Sequence, residues 1–320
     1  MKQTTIGILG GTGFVGQHLC NILANYPYDL RVFTRRPDLN RDLTVLPNLT
    51  LITANVNDPK QLAEGLKGCD VVINLVGILN QTRKNTFKKV HVELVKSLIS
   101  ICQQQGVQRL LHISALNANP NAPSEYLRTK GEAEQLLNQA NGLHFHSTIF
   151  RPSVIFGPGD NFFNKFALLL KLSPGVMVLP CANSIYAPVF VDDVVQAIVA
   201  SLNSKRTFGQ TYPLCGPEVF SLKELVKITA YTLNKKCWII GLGPKLSKLA
   251  AQILQYFPGK PLTPDNVLSA SIPSVTQTSL PEFFNIEPLS IHSVLPQYLG
   301  PDALQDPFAS FRKIPPQIKP

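Results

Sequence analysis

The stretch Gly7-Ile8-Leu9-Gly10-Gly11-Thr12-Gly13-Phe14-Val15-Gly16 places a glycine-rich turn between an apolar run and an amphipathic one. Thr5 to Leu9 reads as a short buried strand, and Phe14 to Leu23 carries apolar residues at helical spacing, so the glycines stand at a strand-to-helix turn. Gly10 and Gly11 permit a tight turn, Gly13 lets the backbone approach a phosphate that a side chain would push away, and Gly16 permits close packing of helix on strand. A helix beginning near Thr12 would aim unpaired N–H groups and the positive end of its dipole at that anion. The pattern predicts a dinucleotide site built from Gly10, Thr12, Gly13, Phe14, Val15 and Gly16.

The end of the next strand bears on the choice of dinucleotide. Leu30 to Thr34 is strand-like, and its end, about 20 residues beyond the glycines, is where an NAD site sets an acid on the ribose 2′-hydroxyl. This chain has Thr34-Arg35-Arg36 there. A carboxylate would repel a 2′-phosphate, whereas a guanidinium holds it through paired, charge-assisted hydrogen bonds. Arg35 and Arg36 therefore predict NADP(H) in preference to NAD(H).

Further along, apolar strands and amphipathic helices alternate: strand 49–54, helix 59–66, strand 70–75, helix 87–104, strand 109–114, helix 124–139 and strand 145–151. That order implies an α/β fold with a Rossmann-type doubly wound parallel sheet. From Pro152 the alternation loosens as prolines and glycines increase. The expected division is a dinucleotide domain over 1–151, a smaller C-terminal α/β lobe over 152–300 interleaved with the sheet, and a proline-rich extended or disordered tail over 301–320.

A chain of 320 residues with 44% hydrophobic residues can bury a large core, and its net charge of +10 is dispersed. No basic run is dense enough for a nucleic-acid arm, so an anionic cofactor, with an anionic membrane or protein surface, accounts for the charge more simply. The six cysteines show no C-x-x-C spacing and read as small core hydrophobes of a reducing compartment. His144 and His146 form an H-x-H with no third ligand nearby, so no metal is expected. The first strand begins within a few residues of Met1, which leaves no room for a leader. The apolar run from Phe166 is broken by Lys171, Pro174 and Pro180, short of the ~18 residues a membrane span needs. A cytoplasmic protein is the expectation.

A second constellation joins Ser114 to Tyr126-Leu127-Arg128-Thr129-Lys130. Residues i and i+4 share a helix face, which sets Tyr126 and Lys130 together. A phenol of pKa ~10 is a poor acid–base group at neutral pH, and bringing it to ~7 takes about 4 kcal/mol, which an ammonium and a cationic nicotinamide can supply together. Lys130 can also hold a nicotinamide ribose, and Ser114 can polarise a carbonyl. Tyr-x-x-x-Lys is frequent by chance; the serine at a strand end, 12 residues upstream, gives the pair its weight.

With these residues in place the chain resembles the short-chain dehydrogenase/reductase superfamily over most of its length. Gly10, Gly13 and Gly16 match its turn glycines, Asn74 to Gly77 the end of its fourth strand, and Ser114, Tyr126 and Lys130 its catalytic trio. Arg151 to Pro158 and Val189 to Val194 are similar to motifs of the extended, epimerase/dehydratase-like branch. The segments His112 to Asn119 and Tyr126 to Glu132 are similar to the family of NADPH-binding accessory subunits of respiratory complex I, subunit nine of the alpha subcomplex, and their bacterial relatives. The resemblance implies that Asn55, Val56, Leu75, Val76, Gly77, Pro152 and Val154 also line the cofactor. It departs at Asn55, where the superfamily usually has an adenine-contacting Asp, and at His91, where a helix Asn usually supports the proton relay. The Ser114–Tyr126 gap also lacks the longer insertion common in sugar-nucleotide epimerases.

Two function classes follow: an NADP(H)-dependent oxidoreductase or epimerase acting on an unknown small carbonyl or hydroxyl compound, or a non-catalytic NADPH-binding subunit of a membrane-bound respiratory complex, peripheral on the inner membrane. The run Pro244 to Phe257 bears on the second. Leu246, Leu249, Ala250, Ile253, Leu254 and Phe257 recur at helical spacing with Lys245 and Lys248 among the rest. Such a helix ordinarily packs on its own lobe; a basic one also suits a membrane surface or a partner subunit.

Overall fold

Residues 5–9 are all buried, so the first strand reads as a continuous central run flanked on both faces. The structure is a computed structural model that describes residues 3–142, 144–278 and 281–300. The proposed tail, 301–320, lies outside the described residues. Strands β1 (Thr4–Leu9), β2 (Tyr28–Thr34), β3 (Leu49–Thr53), β4 (Val71–Asn74), β5 (Arg109–Ile113) and β6 (His146–Pro152) alternate with α1 (Phe14–Leu23), α2 (Pro59–Leu66), α3 (Leu94–Gln105) and α4 (Glu125–Ala140). Then come β7 (Ile155–Phe156), α5 (Phe163–Leu172), β8 (Val176–Leu179), β9 (Ile185–Tyr186), β10 (Val189–Phe190), α6 (Val191–Ser201) and β11 (Gln210–Leu214). The chain continues through β12 (Phe220–Ser221), α7 (Leu222–Thr232), β13 (Trp238–Gly241), α8 (Pro244–Leu254), α9 (Pro264–Ala270) and α10 (Ile291–Leu299).

Seven strands form one parallel sheet in the order β11-β6-β5-β4-β1-β2-β3. The order reverses between β1 and β4, so the loops leaving their C-terminal ends diverge to opposite faces and open the crevice where such sheets bind ligands. Side chains on alternate strand positions supply two cores. Ile8 and Val32 face a core closed by Leu19 and Leu23 of α1, Val195 and Ile198 of α6, and Val294 and Leu295 of α10. Leu9 and Phe33 face a core closed by Leu62 and Leu66 of α2, Leu94 and Leu98 of α3, and Leu137 of α4. The doubly wound α/β fold expected from the alternation is the one observed. α6, β11 and α10, all from beyond Pro152, return to the main sheet, while Leu170, Leu179, Val226 and Ile239 form a separate small core between α5, α7 and the β8/β13 ladder.

Arg109, at the start of β5, is buried with no ion-pair partner among the described residues. Its guanidinium donates to the His146 and Ser201 carbonyls and to the Thr148 and Thr207 hydroxyls, and it lies 4.7 Å over the Phe208 ring. Burial lowers it to about 10. His146 stacks on the same Phe208 ring at 4.1 Å, so the H-x-H pair serves packing through His146 while His144 is exposed. Among the described residues no group of three metal-ligating side chains occurs. Cys20, Cys69 and Cys102 are buried, and burial holds the Cys20 and Cys102 thiols at about 12, where they remain neutral packing groups. Cys181, Cys215 and Cys237 are half-buried.

α8 departs from the ordinary expectation. It is helical, yet only the small Ser247 and Ala251 are buried, while Leu246, Leu249, Ile253 and, just beyond the helix, Phe257 are each more than half exposed. Small residues let the helix sit close on Cys181, whose N–H donates to Ser247 Oγ at 2.9 Å, and this turns the larger apolar stripe outward. Among the described residues no helix is long and apolar enough to cross a membrane.

Candidate active site

The glycine turn is as crowded as its residues require. Gly10 adopts φ +78°, and a Cβ there would lie 3.1 Å from the Leu75 carbonyl carbon. A Cβ on Gly11 would lie 2.8 Å from Val32, and one on Gly16 would press into the backbone of Gly10 and Gly11. Gly13 differs: a Cβ there would meet only the Gly10 carbonyl, at 3.3 Å, and its other side is open space against the crevice. α1 starts at Phe14, two residues later than expected from the sequence, because the Gly13 N–H is spent on the Gly10 carbonyl at 3.0 Å and its backbone is extended. α2, α4, α7, α9 and α10 are capped by the side chains of Asp58, Ser124, Ser221, Thr263 and Ser290. α1 has neither a capping side chain nor an acid in its first turn, so among the described residues no side chain takes up its N-terminal N–H groups, which stand beside the glycine turn. Thr12 is half-buried and its carbonyl accepts from the Gln17 amide. This cradle fits a pyrophosphate.

Beyond β2 the chain turns on Thr34, whose hydroxyl accepts from the Arg36 N–H, and on Asn40, whose amide donates to the Arg36 carbonyl. The side chains of Arg35 and Arg36 stay exposed, with no hydrogen bond or ion pair among the described residues. Asn55, just past β3, accepts the Asn57 N–H on Oδ1, which leaves its amide nitrogen to donate. Val56 is half-buried against the second core. After β4, Leu75 and Val76 turn to opposite cores and Gly77 is exposed. The carbonyls of Pro152 and Val154 are taken by the N–H groups of Leu116 and Val189.

Ser114 follows β5. Its N–H donates to Phe150, while its buried Oγ has no hydrogen-bond partner among the described residues. Lys130 is buried on α4, and its Nζ donates to the Ile113 carbonyl at 2.9 Å, directly before Ser114. A Cβ on Gly77 would come within 3.4 Å of that Nζ, so glycine is what brings the β4 loop over the lysine. Burial lowers Lys130 to about 8, against the opposing pull of Glu134. Tyr126 sits edge-on to Phe87 and His91, at 5.8 and 5.6 Å, and burial raises its phenol to about 12. The lowered phenol expected from the Tyr-x-x-x-Lys spacing is therefore not a property of the free chain: desolvation governs Tyr126, and Lys130 is directed to the Ile113 carbonyl.

His91 lies in a π-helical turn, Lys88–Glu93, that precedes α3 and widens the helix toward α4. Its Nε2 accepts the Ile78 N–H at 3.3 Å and its Nδ1 meets the Thr129 hydroxyl at 2.9 Å, so the proton is on Nδ1. Burial, then Lys130 and His112, lower it to about 2, which keeps the ring neutral. His91 is a fully partnered buried histidine that braces the Gly77–Ile78 loop against α4. Three supports escaped the sequence reading. Arg151 binds Glu134 through Nε at 3.0 Å and through a close Nη2 contact, anchoring the α4 face that bears Lys130. Asn74 donates to His112 Nδ1 and accepts the Val76 N–H. Asp265 of α9 accepts the N–H groups of Glu125 and Tyr126, at 2.6 and 3.2 Å. Its carboxylate caps the helix that carries the tyrosine, 139 residues away in sequence, and no local pattern announces that. An open cavity of about 470 Å³ lies along the loop that follows Ser114, lined by residues 116–119, Asn121, Ala122, Pro123, Arg151 and Ile272. Tyr126 and Ile272 pack against the same small cluster of Ala115, Ala122 and Leu127.

Comparison with known proteins agrees with this fold. The chain is 30% identical over 227 residues to a mitochondrial NADH dehydrogenase [ubiquinone] 1 alpha subcomplex subunit 9 of Arabidopsis thaliana, a match covering 69% of this chain and 56% of that protein. It therefore spans little more than half of that relative's length. It is 27% identical over 253 residues to a ceramide reductase of Caulobacter vibrioides, covering 76% of this chain and 73% of that protein. The fold superposes on a nucleoside-diphosphate-sugar epimerase of Staphylococcus aureus with a TM-score of 0.70 at 18% identity, over 91% of this chain and 99% of that one. Residues 6–215 match the profile of the NAD dependent epimerase/dehydratase family. Because that span runs from within β1 to the end of β11, it takes in the sheet, the phosphate turn and the Ser-Tyr-Lys positions together, and the chain belongs to that family.

Proposed function

We propose that the protein is an NADP(H)-dependent reductase of a carbonyl compound that enters through the cavity beside Ala122 and Ile272. The observation that carries this reading is the buried Ser114 hydroxyl, which has no partner among the described residues and lies beside the Ile113 carbonyl that holds Lys130. A bound reduced nicotinamide would supply the hydride. Ser114 would donate a hydrogen bond to the carbonyl oxygen, and Tyr126 would pass its phenolic proton to that oxygen as the carbon accepts the hydride, leaving an alcohol and a phenolate. Burial holds the Tyr126 phenol at about 12 in the free chain, so it enters the reaction protonated, and donation at neutral pH requires the bound cofactor and Lys130 to bring that value down. Lys130 would hold the ribose, with Gly77 providing the close approach. The unpaired Arg35 and Arg36 favour a 2′-phosphate.

The subunit 9 relative supports a second reading, in which the same residues retain NADPH without turning it over and the chain attaches to a complex I-type assembly. His91 favours it as well, since both ring nitrogens are committed within the protein and cannot pass protons onward. In either reading the protein works peripherally, on the cytoplasmic side of a membrane. NADPH oxidation by the full-length chain against a panel of aldehydes and ketones, with Tyr126→Phe beside wild type, separates the two. Turnover abolished by Tyr126→Phe with NADPH affinity unchanged supports the reductase; retained NADPH that no carbonyl oxidises supports the subunit.

A further inference from the structure

We infer that the outer face of the C-terminal lobe is a seat for an anionic lipid bilayer, with a lysine-lined cavity beside it that receives a lipid phosphate. The inference rests on the peripheral location proposed above and specifies the surface. The β8/β13 ladder pairs Val176 with Trp238 and Val178 with Ile240. These four side chains alternate with the buried Leu179 and Ile239 and are 48, 80, 55 and 50% exposed respectively, so one whole face of the ladder is apolar and uncovered. β13 ends at Gly241 and α8 begins at Pro244, so within three residues of chain this face is followed by the outward stripe of Leu246, Leu249 and Ile253, which Tyr256 and Phe257 extend.

The surrounding charge selects the occupant. From Leu222 to Thr263 the chain carries seven lysines, at 223, 227, 235, 236, 245, 248 and 260, against one acid, Glu224, which is bound in the capping box of α7. Lys245 and Lys248 lie one position before Leu246 and Leu249, so a basic row borders the apolar stripe. An apolar surface edged by lysine, with Trp238, Tyr231 and Tyr256 at its exposed margin, matches the interfacial layer of a bilayer, where indole and phenol rings settle and cations meet anionic headgroups. A second copy of this chain would bring the same lysines together and repel. The open cavity of about 470 Å³ next to Trp238 is lined by Lys227, Lys235, Lys236, Tyr231 and Cys237, which suits a phosphate carried by a lipid.

The chain's single tryptophan is Trp238, so its own fluorescence reports the contact. The full-length protein is mixed with phosphatidylcholine vesicles, with and without phosphatidylglycerol, and followed by co-sedimentation and emission. Binding only to the anionic vesicles, weakened by salt, with a blue shift of Trp238 and quenching by brominated acyl chains, is the expected result. Each lysine near such a surface contributes about fivefold, so Lys245→Glu with Lys248→Glu should weaken binding by at least ~25-fold. Leu249→Gln with Ile253→Gln, both exposed and safe for folding, should weaken it while leaving the circular dichroism and NADPH affinity as in wild type. If the chain sediments but Trp238 stays unshifted and these variants bind normally, peripheral placement survives and this surface is wrong. Failure to bind anionic vesicles at low salt overturns both, and concentration-dependent dimerisation that blue-shifts Trp238 without lipid overturns the lipid assignment.

Discussion

Replacing Ser114 with alanine should make the cofactor-free protein more stable while disabling the chemistry. The Ser114 hydroxyl is buried, 3% exposed, with no hydrogen-bond partner among the described residues. Leaving a buried hydroxyl unmatched costs about 1–3 kcal/mol, and alanine removes the group at the expense of a small void. A net gain of about 1 kcal/mol is expected, which for a chain of 320 residues raises Tm by about 1–2 °C. Ser124 provides the contrast within the same site. It is fully buried, its hydroxyl accepts the Leu127 N–H and the Ser269 hydroxyl, and it caps α4. Ser124→Ala should therefore cost about 1 kcal/mol or more and lower Tm by a similar amount. Calorimetry on the two cofactor-free variants reads the signs directly. In the reductase reading, Ser114→Ala also lowers kcat by about 10²-fold, as loss of an oxyanion donor does. A Ser114→Ala protein that melts about 2 °C or more below wild type would show that the hydroxyl is already engaged, and the reasoning from it to a substrate carbonyl would fall.

Arg35→Ala with Arg36→Ala should erase a preference of at least tenfold for NADPH over NADH, about 1.4 kcal/mol, measured by calorimetric titration; equal affinities in wild type refute the assignment. Gly16→Ala should cost roughly 1–3 kcal/mol and loosen dinucleotide binding, because its Cβ would press into backbone that cannot yield without opening the phosphate turn; unchanged Tm and affinity would contradict that geometry. His18 joins α1 to α6 through Asp192 at 2.8 Å and meets the Pro158 carbonyl at 3.1 Å, two acceptors that together call for the imidazolium. Burial lowers its pKa, but the hydrogen bond and charge of Asp192 and the Pro158 carbonyl outweigh it and the net shift is upward. That stabilisation is fully present below the unfolded value near 6.5 and is lost as pH rises through the raised folded value. His18→Gln should therefore lower Tm more at pH 6 than at pH 9, and an equal loss at both would refute the pairing.

What the sequence determined by itself was everything that depends on local chemistry. The glycines at 10, 11, 13 and 16 announce a turn because left-handed backbone and close approach exclude other residues. The parallel sheet was legible because its buried strands are short apolar runs separated by helices at a different period. Lys130 and Tyr126 share a helix face by spacing alone, and element ends shifted by only a residue or two where capping decided them. The tertiary structure decided what depends on distant partners. Asp265 reaches α4 from the other half of the chain, and Glu134 takes Arg151 from a neighbouring strand. His91 is placed by a π-helical turn that its sequence does not mark. The proton affinities of the free site also depend on packing: spacing sets who shares a face, but only the packed fold fixes how much water is removed, and without cofactor desolvation holds Tyr126 high and Lys130 low. α8 shows the limit most clearly. Its apolar period is plain in the sequence, yet a period cannot say which face turns inward, and the close fit of Ser247 and Ala251 against the lobe sends the leucines outward.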